Sequence, residues 1–238
     1  MVWANFLHIY QPPTQTREMA DRVTKESYEK IIAGVKANPT AKLTLNINAV
    51  LTEMLAKYGH TNLISDIKYL LERGQIELTA SAKYHPLLPK ITKDEIRRQI
   101  NLNEETNRKY FGESYRPKGF FPPEMGYDAK VGEVVAEMGY KWIILDEMAN
   151  PTQLSRDTIF QTESGLGVFF RERGMSFRIL SAQLGTAAGV TSQLGEEVKK
   201  DEYLLTAMDG ETFGHHRLGL EELLVEMYIN SELPTVGI

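Results

Sequence analysis

The 238-residue sequence is 42% hydrophobic and 25% charged, with a formal net charge of −5, an ordinary balance for a globular chain with one large core or two small ones. Cysteine is absent, which excludes disulfides and thiolate metal sites. No apolar run approaches the ~20 residues of a membrane span, and no Lys/Arg run or basic stripe beside aromatics offers a nucleic acid a grip.

In chain order, MVWANFLHIY has neither a basic leader nor a small-residue cleavage site and reads as a first strand, Trp3–His8, not a signal peptide. Asn38 and Asn150 each precede Pro-Thr and cannot take an N-glycan, so a cytoplasmic protein is expected. A helix over Lys25–Ala37 leads to a strand at Leu43–Ile47. Helices at Ala49–Tyr58 and Leu63–Arg73 follow, then a strand at Ile76–Ala80. The next helix, Lys93–Phe111, opens on a capping box with Thr92 as cap and Glu95 three residues on. A strand at Gly119–Phe121, a helix at Lys130–Met138 and a strand at Trp142–Leu145 come next. Gln161–Arg171 reads as a hairpin around Gly165 and Gly167 that ends in a strand at Val168–Arg171. A helix at Glu196–Asp201, a strand at Tyr203–Met208, a helix at Leu220–Tyr228 and a strand at Thr235–Ile238 complete the chain.

Strands alternating with helices give a largely parallel α/β sheet, either open and doubly wound or closed as a barrel. An open nucleotide-binding sheet carries a glycine-rich turn after an early strand. Here the first strand runs into His-Ile-Tyr-Gln-Pro-Pro, and no such turn follows any strand. A single barrel domain over residues 1–238 is the expectation.

In a βα barrel the C-terminal strand ends face the active site, and the unusual residues fall there: His8, His85, Glu124, Asp209, Glu211 and the pair His215 and His216. His60 does not, and reads as a solvated helix-end residue. Pro122 and Pro123 deliver Glu124 on a stiff turn, as a nucleophile requires; capping the helix beyond Tyr127 is the plainer role. The apolar strand Tyr203–Met208 ends in Asp209-Gly-Glu-Thr-Phe-Gly-His-His, where a metal site or a helix cap is the competing reading. Two acids from different strands sharing one cleft meet the requirement for glycoside hydrolysis, one attacking the anomeric carbon and the other managing the proton. Tyr10, Tyr84, Phe120, Tyr127 and Phe213 are aromatics that could stack on sugar faces.

With these residues in hand, the chain resembles glycoside hydrolase family 57, the α-amylase, 4-α-glucanotransferase and branching-enzyme family. Four segments carry the resemblance in family order: His8-Ile-Tyr-Gln-Pro, with Tyr10 where the family has a second histidine; Gly74-Gln-Ile-Glu-Leu continuing to His85-Pro-Leu-Leu-Pro; Phe121-Pro-Pro-Glu124-Met-Gly-Tyr; and Met208-Asp209-Gly-Glu-Thr-Phe-Gly. The resemblance implies a (β/α)7 barrel, a retaining double displacement on α-glucan or maltooligosaccharide, and no cofactor or metal. It makes Glu124 the nucleophile and Asp209 the acid/base. His8, Gln11, Tyr10, His85, Glu211, Phe213 and His215 would contact substrate, and Glu77 would support the site from its strand. Family members are longer, with a helical domain after the barrel, whereas this sequence stops at its last expected strand. The exposed edge that this leaves implies a homo-oligomer, a partner chain completing the barrel, or a longer native protein of which this sequence is a fragment. The rival readings are a metal-dependent polysaccharide deacetylase of similar barrel, disfavoured because adjacent His215 and His216 diverge and no His-x-x-x-His exists, and a non-catalytic glucan-binding protein derived from the enzyme.

Overall fold

Side-chain alternation along β1 (Val2–Ile9) sets the architecture. Trp3, Leu7 and Ile9 enter the large cluster packed under the helices, while Ala4 and Phe6 enter a separate cluster on the opposite side. A strand buried on both faces belongs to a parallel sheet wrapped by helices. The computed structural model describes residues 1–150, 152, 154–230 and 232–238. After β1 come α1 (Arg17–Val23) and α2 (Glu29–Ala37), joined by a π-helical turn over Thr24–Tyr28, then β2 (Leu43–Ile47), α3 (Ala49–Tyr58), α4 (Thr61–Glu72) and β3 (Ile76–Leu78). α5 (Lys93–Phe111), β4 (Gly119–Phe120), α6 (Ala129–Glu137), β5 (Trp142–Asp146), β6 (Phe160–Gln161) and β7 (Gly167–Arg171) follow. The remaining elements are α7 (Arg173–Leu180), α8 (Ala187–Leu194), β8 (Tyr203–Asp209), α9 (Glu221–Ile229) and β9 (Thr235–Val236).

Parallel pairing runs β3-β2-β1-β8 in one sheet and β4-β5-β7 in the other. Two seams join them. Ala80, just past β3, bridges Phe120 of β4, with Ala80 N–H donating to Gly119 O and Phe121 N–H to Ala80 O. Beyond β7, Glu172 N–H donates to Leu205 O of β8 at 2.8 Å. The seven strands therefore close into a parallel barrel, the α/β barrel expected. β6 pairs antiparallel to β7, and the hairpin turns at Gly165.

Closure stacks inward residues in layers. The registers Phe6↔Thr44, Phe6↔Ala207, Thr44↔Glu77 and Ile144↔Phe169 define one layer. The next, toward the C-terminal mouth, holds His8↔Asn46, His8↔Asp209 and Asp146↔Arg171. Apolar side chains fill the interior below, and a polar layer lines the mouth.

Most expected elements agree with the structure, and the exceptions have local causes. The first helical segment starts earlier, at Arg17, because Thr16 caps it by accepting from Met19 N–H. Glu196–Asp201 is only a 3₁₀ turn, Gly195–Lys199. α7 and α8 were not expected, because each is short and contains glycine; Glu172 and Thr186 cap them. The expected last strand is Thr235–Val236 alone, and it lies along the start of β1, opposite Trp3 and Ala4, outside the seven-strand ring. β8 has its own covering helix, α9. His60 is a correction too: its Nε2 lies 2.7 Å from Asp21 Oδ1 with the side chain only 11% exposed, so it is a packed tie between helices and not a solvated end.

Candidate active site

Glu124 follows β4 on the turn that Pro122 and Pro123 impose, and its backbone is left-handed, φ 58°, as is Met125 beside it. A non-glycine residue held there stores strain of order 1–3 kcal/mol, which persists only when surroundings fix it. The turn bonds, Met125 N–H to Pro122 O and Gly126 N–H to Pro123 O, supply that constraint. Asp128, not Glu124, caps α6, accepting from Val131 N–H at 2.9 Å; the plainer role considered for Glu124 is already filled.

Asp209 ends β8 in register with His8. Glu124 and Asp209 both line one cleft at the barrel mouth, together with His8 and His85, and the cleft opens to either side of them. One lobe, of about 280 Å³, adds the apolar side chains of Phe6, Phe121, Met125, Leu180, Ala207 and Met208 and the charged pair Asp146 and Arg171. The other, of about 260 Å³, is lined by Tyr10, Gln11, Glu211 and His216. Burial raises the Asp209 carboxyl above its ordinary range, the negative charge of Glu124 adds to the rise, and the charges of His216 and Arg171 oppose it.

Around the acid pair, His8 and His85 are both shifted toward the neutral imidazole. Burial pushes His8 down to about 3, the charge of His85 pushes the same way, and the bond to Asn46 offsets only part. Asn46 uses its amide N–H on Thr79 Oγ1 at 3.0 Å, so its Oδ1, 2.8 Å from His8 Nδ1, accepts from that nitrogen. His8 Nε2 is then a free acceptor. Burial likewise lowers His85 against the pull of Glu124. Tyr10, standing where the family motif has a second histidine, stacks on His85 at 4.3 Å between centroids, and His85 stacks on His8 at 5.0 Å.

Glu211 is 6% exposed. Its Oε1 accepts from the Tyr28 hydroxyl, from Gln11 Nε2 at 3.1 Å and from Tyr10 N–H at 3.4 Å. Burial raises its carboxyl to about 7 although the Tyr28 bond lowers it. Glu211 thus ties the segment after β1, the π-turn and the loop after β8 into one wall. Ser27 Oγ, donating to Gly210 O at 2.8 Å, completes the tie.

Two residues expected to contact substrate, Phe213 and His215, lie outside the cleft, and Glu77, expected to support the site, sits beneath it. Phe213 is fully buried in the main core, so its ring cannot stack on a ligand. His215 turns away to Glu26, Nδ1 to Oε2 2.6 Å, because Gly214, at φ 98°, lets the loop pass against the Glu26 carbonyl. Glu77 is in the layer beneath the mouth, where burial raises its carboxyl against Lys118 and the Ile238 N–H; it touches the floor segment and not the cleft. His216, named with His215 at the strand end, does line the cleft, while sequence reasoning passed over Asn46, Tyr28, Asp146 and Arg171. Asp146 and Arg171 ended strands already drawn nearby, and inward alternation would have found them. Among the described residues no three His, Asp and Glu side chains converge as metal ligands would.

Comparison with known proteins places this geometry in context. A family model described as "Glycosyl hydrolase family 57" matches residues 6–235. The chain is 25% identical over 229 residues to an "Alpha-amylase" of Pyrococcus horikoshii, covering 92% of this chain and 35% of that protein. It therefore spans about a third of that relative's length. Among solved structures it is similar to the 4-alpha-glucanotransferase from Thermococcus litoralis, with a TM-score of 0.86 at 19% identity over 100% of this chain and 39% of that one. It is also similar to the branching enzyme of Pyrococcus horikoshii, with a TM-score of 0.79 at 15% identity over 100% of this chain and 69% of that one.

Proposed function

The chain belongs to glycosyl hydrolase family 57, and from that premise we propose that it is a retaining glycoside hydrolase or transglycosylase acting on α-glucan. The observation that carries this reading is the meeting of Glu124 and Asp209, from different strands, in one cleft, with Asp209 disposed to hold its proton. Glu124 attacks the anomeric carbon as Asp209 gives its proton to the departing glycosidic oxygen. The bond from carbon to that oxygen breaks as the bond to Glu124 forms. Asp209, now a carboxylate, takes the proton from water or a sugar hydroxyl, whose oxygen displaces Glu124 and restores the original configuration.

In this reading His8 Nε2, Gln11, Tyr10, His85 and His216 meet the sugar, supported by their lining one lobe with the acid pair, while Glu211 acts from behind by fixing Gln11 and the Tyr10 backbone. Products from maltooligosaccharides, with anomeric configuration followed by NMR at early times, test the reading. Initial release of the α-anomer supports it. Release of the β-anomer overturns retention, and binding without turnover assigns the chain to the non-catalytic reading.

An assembly with a second copy or a partner chain is part of the same proposal, supported by exposed Leu218 and Met148, on loops beyond the strand ends; sedimentation tests it. No helix among the described residues is long and apolar enough to cross a membrane, and fractionation of cells tests the cytoplasmic location expected from the sequence.

A further inference from the structure

Asp146 and Arg171 are Cα partners at the last registered position of β5 and β7, in the same inward layer that carries His8 and Asp209. Arg171 Nη2 lies 3.1 Å from Asp146 Oδ2. The other carboxylate oxygen accepts from Met148 N–H at 3.0 Å, and Arg173 Nη1 stands 3.6 Å away. Asp146 is thus held at both oxygens. The Arg171 guanidinium also sits 5.2 Å over the Phe177 ring, a cation–π contact that further fixes its plane.

A guanidinium has five donors. Nη2 faces Asp146 as an ion pair, and Nε–H is buried without a partner among the described residues. The pair lines the lobe otherwise walled by Phe6, Phe121, Met125, Leu180, Ala207 and Met208, beside Glu124 and Asp209. A pyranose offers apolar C–H faces and an edge of hydroxyls. A chamber that sets apolar walls beside polar groups, the rigid Arg171 fork and the imidazoles of His8 and His85, is complementary to both.

Resting on the reading of the cleft as a glucan site, we propose that Arg171 is a specificity-determining residue, donating hydrogen bonds to hydroxyl oxygens of the glucosyl unit beside the acid pair, and that Asp146 is the positioning residue that aims it. The alternative role, an ion pair that merely joins β5 to β7, makes different predictions for ligand affinity and for Asp209. The charged and titratable groups around Asp209 are Glu124, Glu211, Asp146, His8, His85, His216, Tyr10, Tyr28 and Arg171. Removing the Arg171 charge raises the Asp209 carboxyl further.

The test is calorimetric titration of maltotetraose into Glu124→Gln, alone and combined with Arg171→Met, Arg171→Lys or Asp146→Asn, with circular dichroism to confirm folding. Loss of one or two charge-assisted bonds is expected to weaken binding about 10- to 100-fold in the Arg171→Met combination. Arg171→Lys keeps the charge but not the fork and weakens it less, as does Asp146→Asn. With Glu124 intact, Arg171→Met raises KM and moves the alkaline limb of kcat/KM to higher pH, whereas Arg171→Lys leaves that limb in place. If Arg171→Met does not fold, the Lys variant carries the test. Unchanged affinity in folded Arg171 variants overturns the inference and leaves the glucan reading standing. Failure of both the parent chain and Glu124→Gln to bind maltotetraose overturns the reading and the inference with it.

Discussion

His85 Nδ1 stands 3.9 Å from Glu124 Oε1, and both residues hold left-handed backbone, φ 56° and 58°. Two strained turns after neighbouring strands thus present their side chains to each other across the cleft. If that strain serves to aim a nucleophile, removing the carboxylate leaves the fold intact and the chemistry empty. Glu124→Gly, which relieves a positive φ, is expected to fold at least as stably as the parent, lose turnover, and regain it with azide as external nucleophile. Asp209→Ala is expected to lose roughly 10²–10⁴-fold on natural glucan and far less on substrates whose leaving group needs no proton. Exchanged behaviour of the two variants reverses the roles, and full activity in either removes the mechanism.

The proposed double displacement passes through carboxylates alone. Dialysis of the active chain against a chelator is therefore expected to leave its rate on maltooligosaccharides unchanged. Stoichiometric zinc whose removal abolishes activity returns the case to a deacetylase-like hydrolase.

Glu211 gives a stability prediction with a definite sign. Its carboxyl titrates at about 7 when folded and near 4.5 when unfolded, so between those values the folded state binds more protons and stability falls as pH rises. Glu211→Gln removes this contribution and is expected to flatten the decline between pH 4.5 and 7, by an amount on the order of 2–3 kcal/mol if it acted alone. His8 and His85, both lowered, act with the opposite slope in parent and variant alike, so the difference between the two curves isolates Glu211. Thermal melts across that range decide it; parallel curves reject the assignment.

Gly214 carries a backbone angle of 98° and lies so close to the Glu26 carbonyl that a β-carbon would meet it. Gly214→Ala is expected to cost at least about 2 kcal/mol, seen as a fall of several degrees in Tm, and to disturb His215 and His216 together. A melt unchanged within a degree rejects the close approach.

How much could be read beforehand depended on range. Leu43–Ile47 and Lys93–Phe111 were legible because their signals are local: an apolar β-branched run, and a capped helix of just over five turns. α7 and α8 were not, since eight residues with an internal glycine carry too little periodicity, and only Thr186 before Ala-Ala-Gly-Val offered a capping signal. Within the site, Glu124 and Asp209 were visible because each breaks the chemistry of an apolar strand. Arg171 was hidden in plain sight: its strand had been drawn, but which face it turned inward followed from β5 pairing beside it, and pairing is long-range. Phe213 and His215 misled for the reverse reason, since a loop four to six residues past the end of β8 has left the pleat that would have fixed their direction.

The layered interior has a kinetic corollary. Beneath His8 the barrel is filled by Phe6, Phe121, Ile144 and Ala207, with Ala4, Leu205 and Trp142 packed against them and Val236 and Ile238 alongside. Under the proposed function, a glucan therefore cannot thread through; it must lie across the mouth, and whatever departs leaves by the side it entered. Incoming water and an incoming sugar hydroxyl then queue at the same doorway as the departing fragment. The balance between cutting and transferring becomes a matter of traffic, set by which visitor reaches the glycosyl-enzyme first once the leaving chain steps aside.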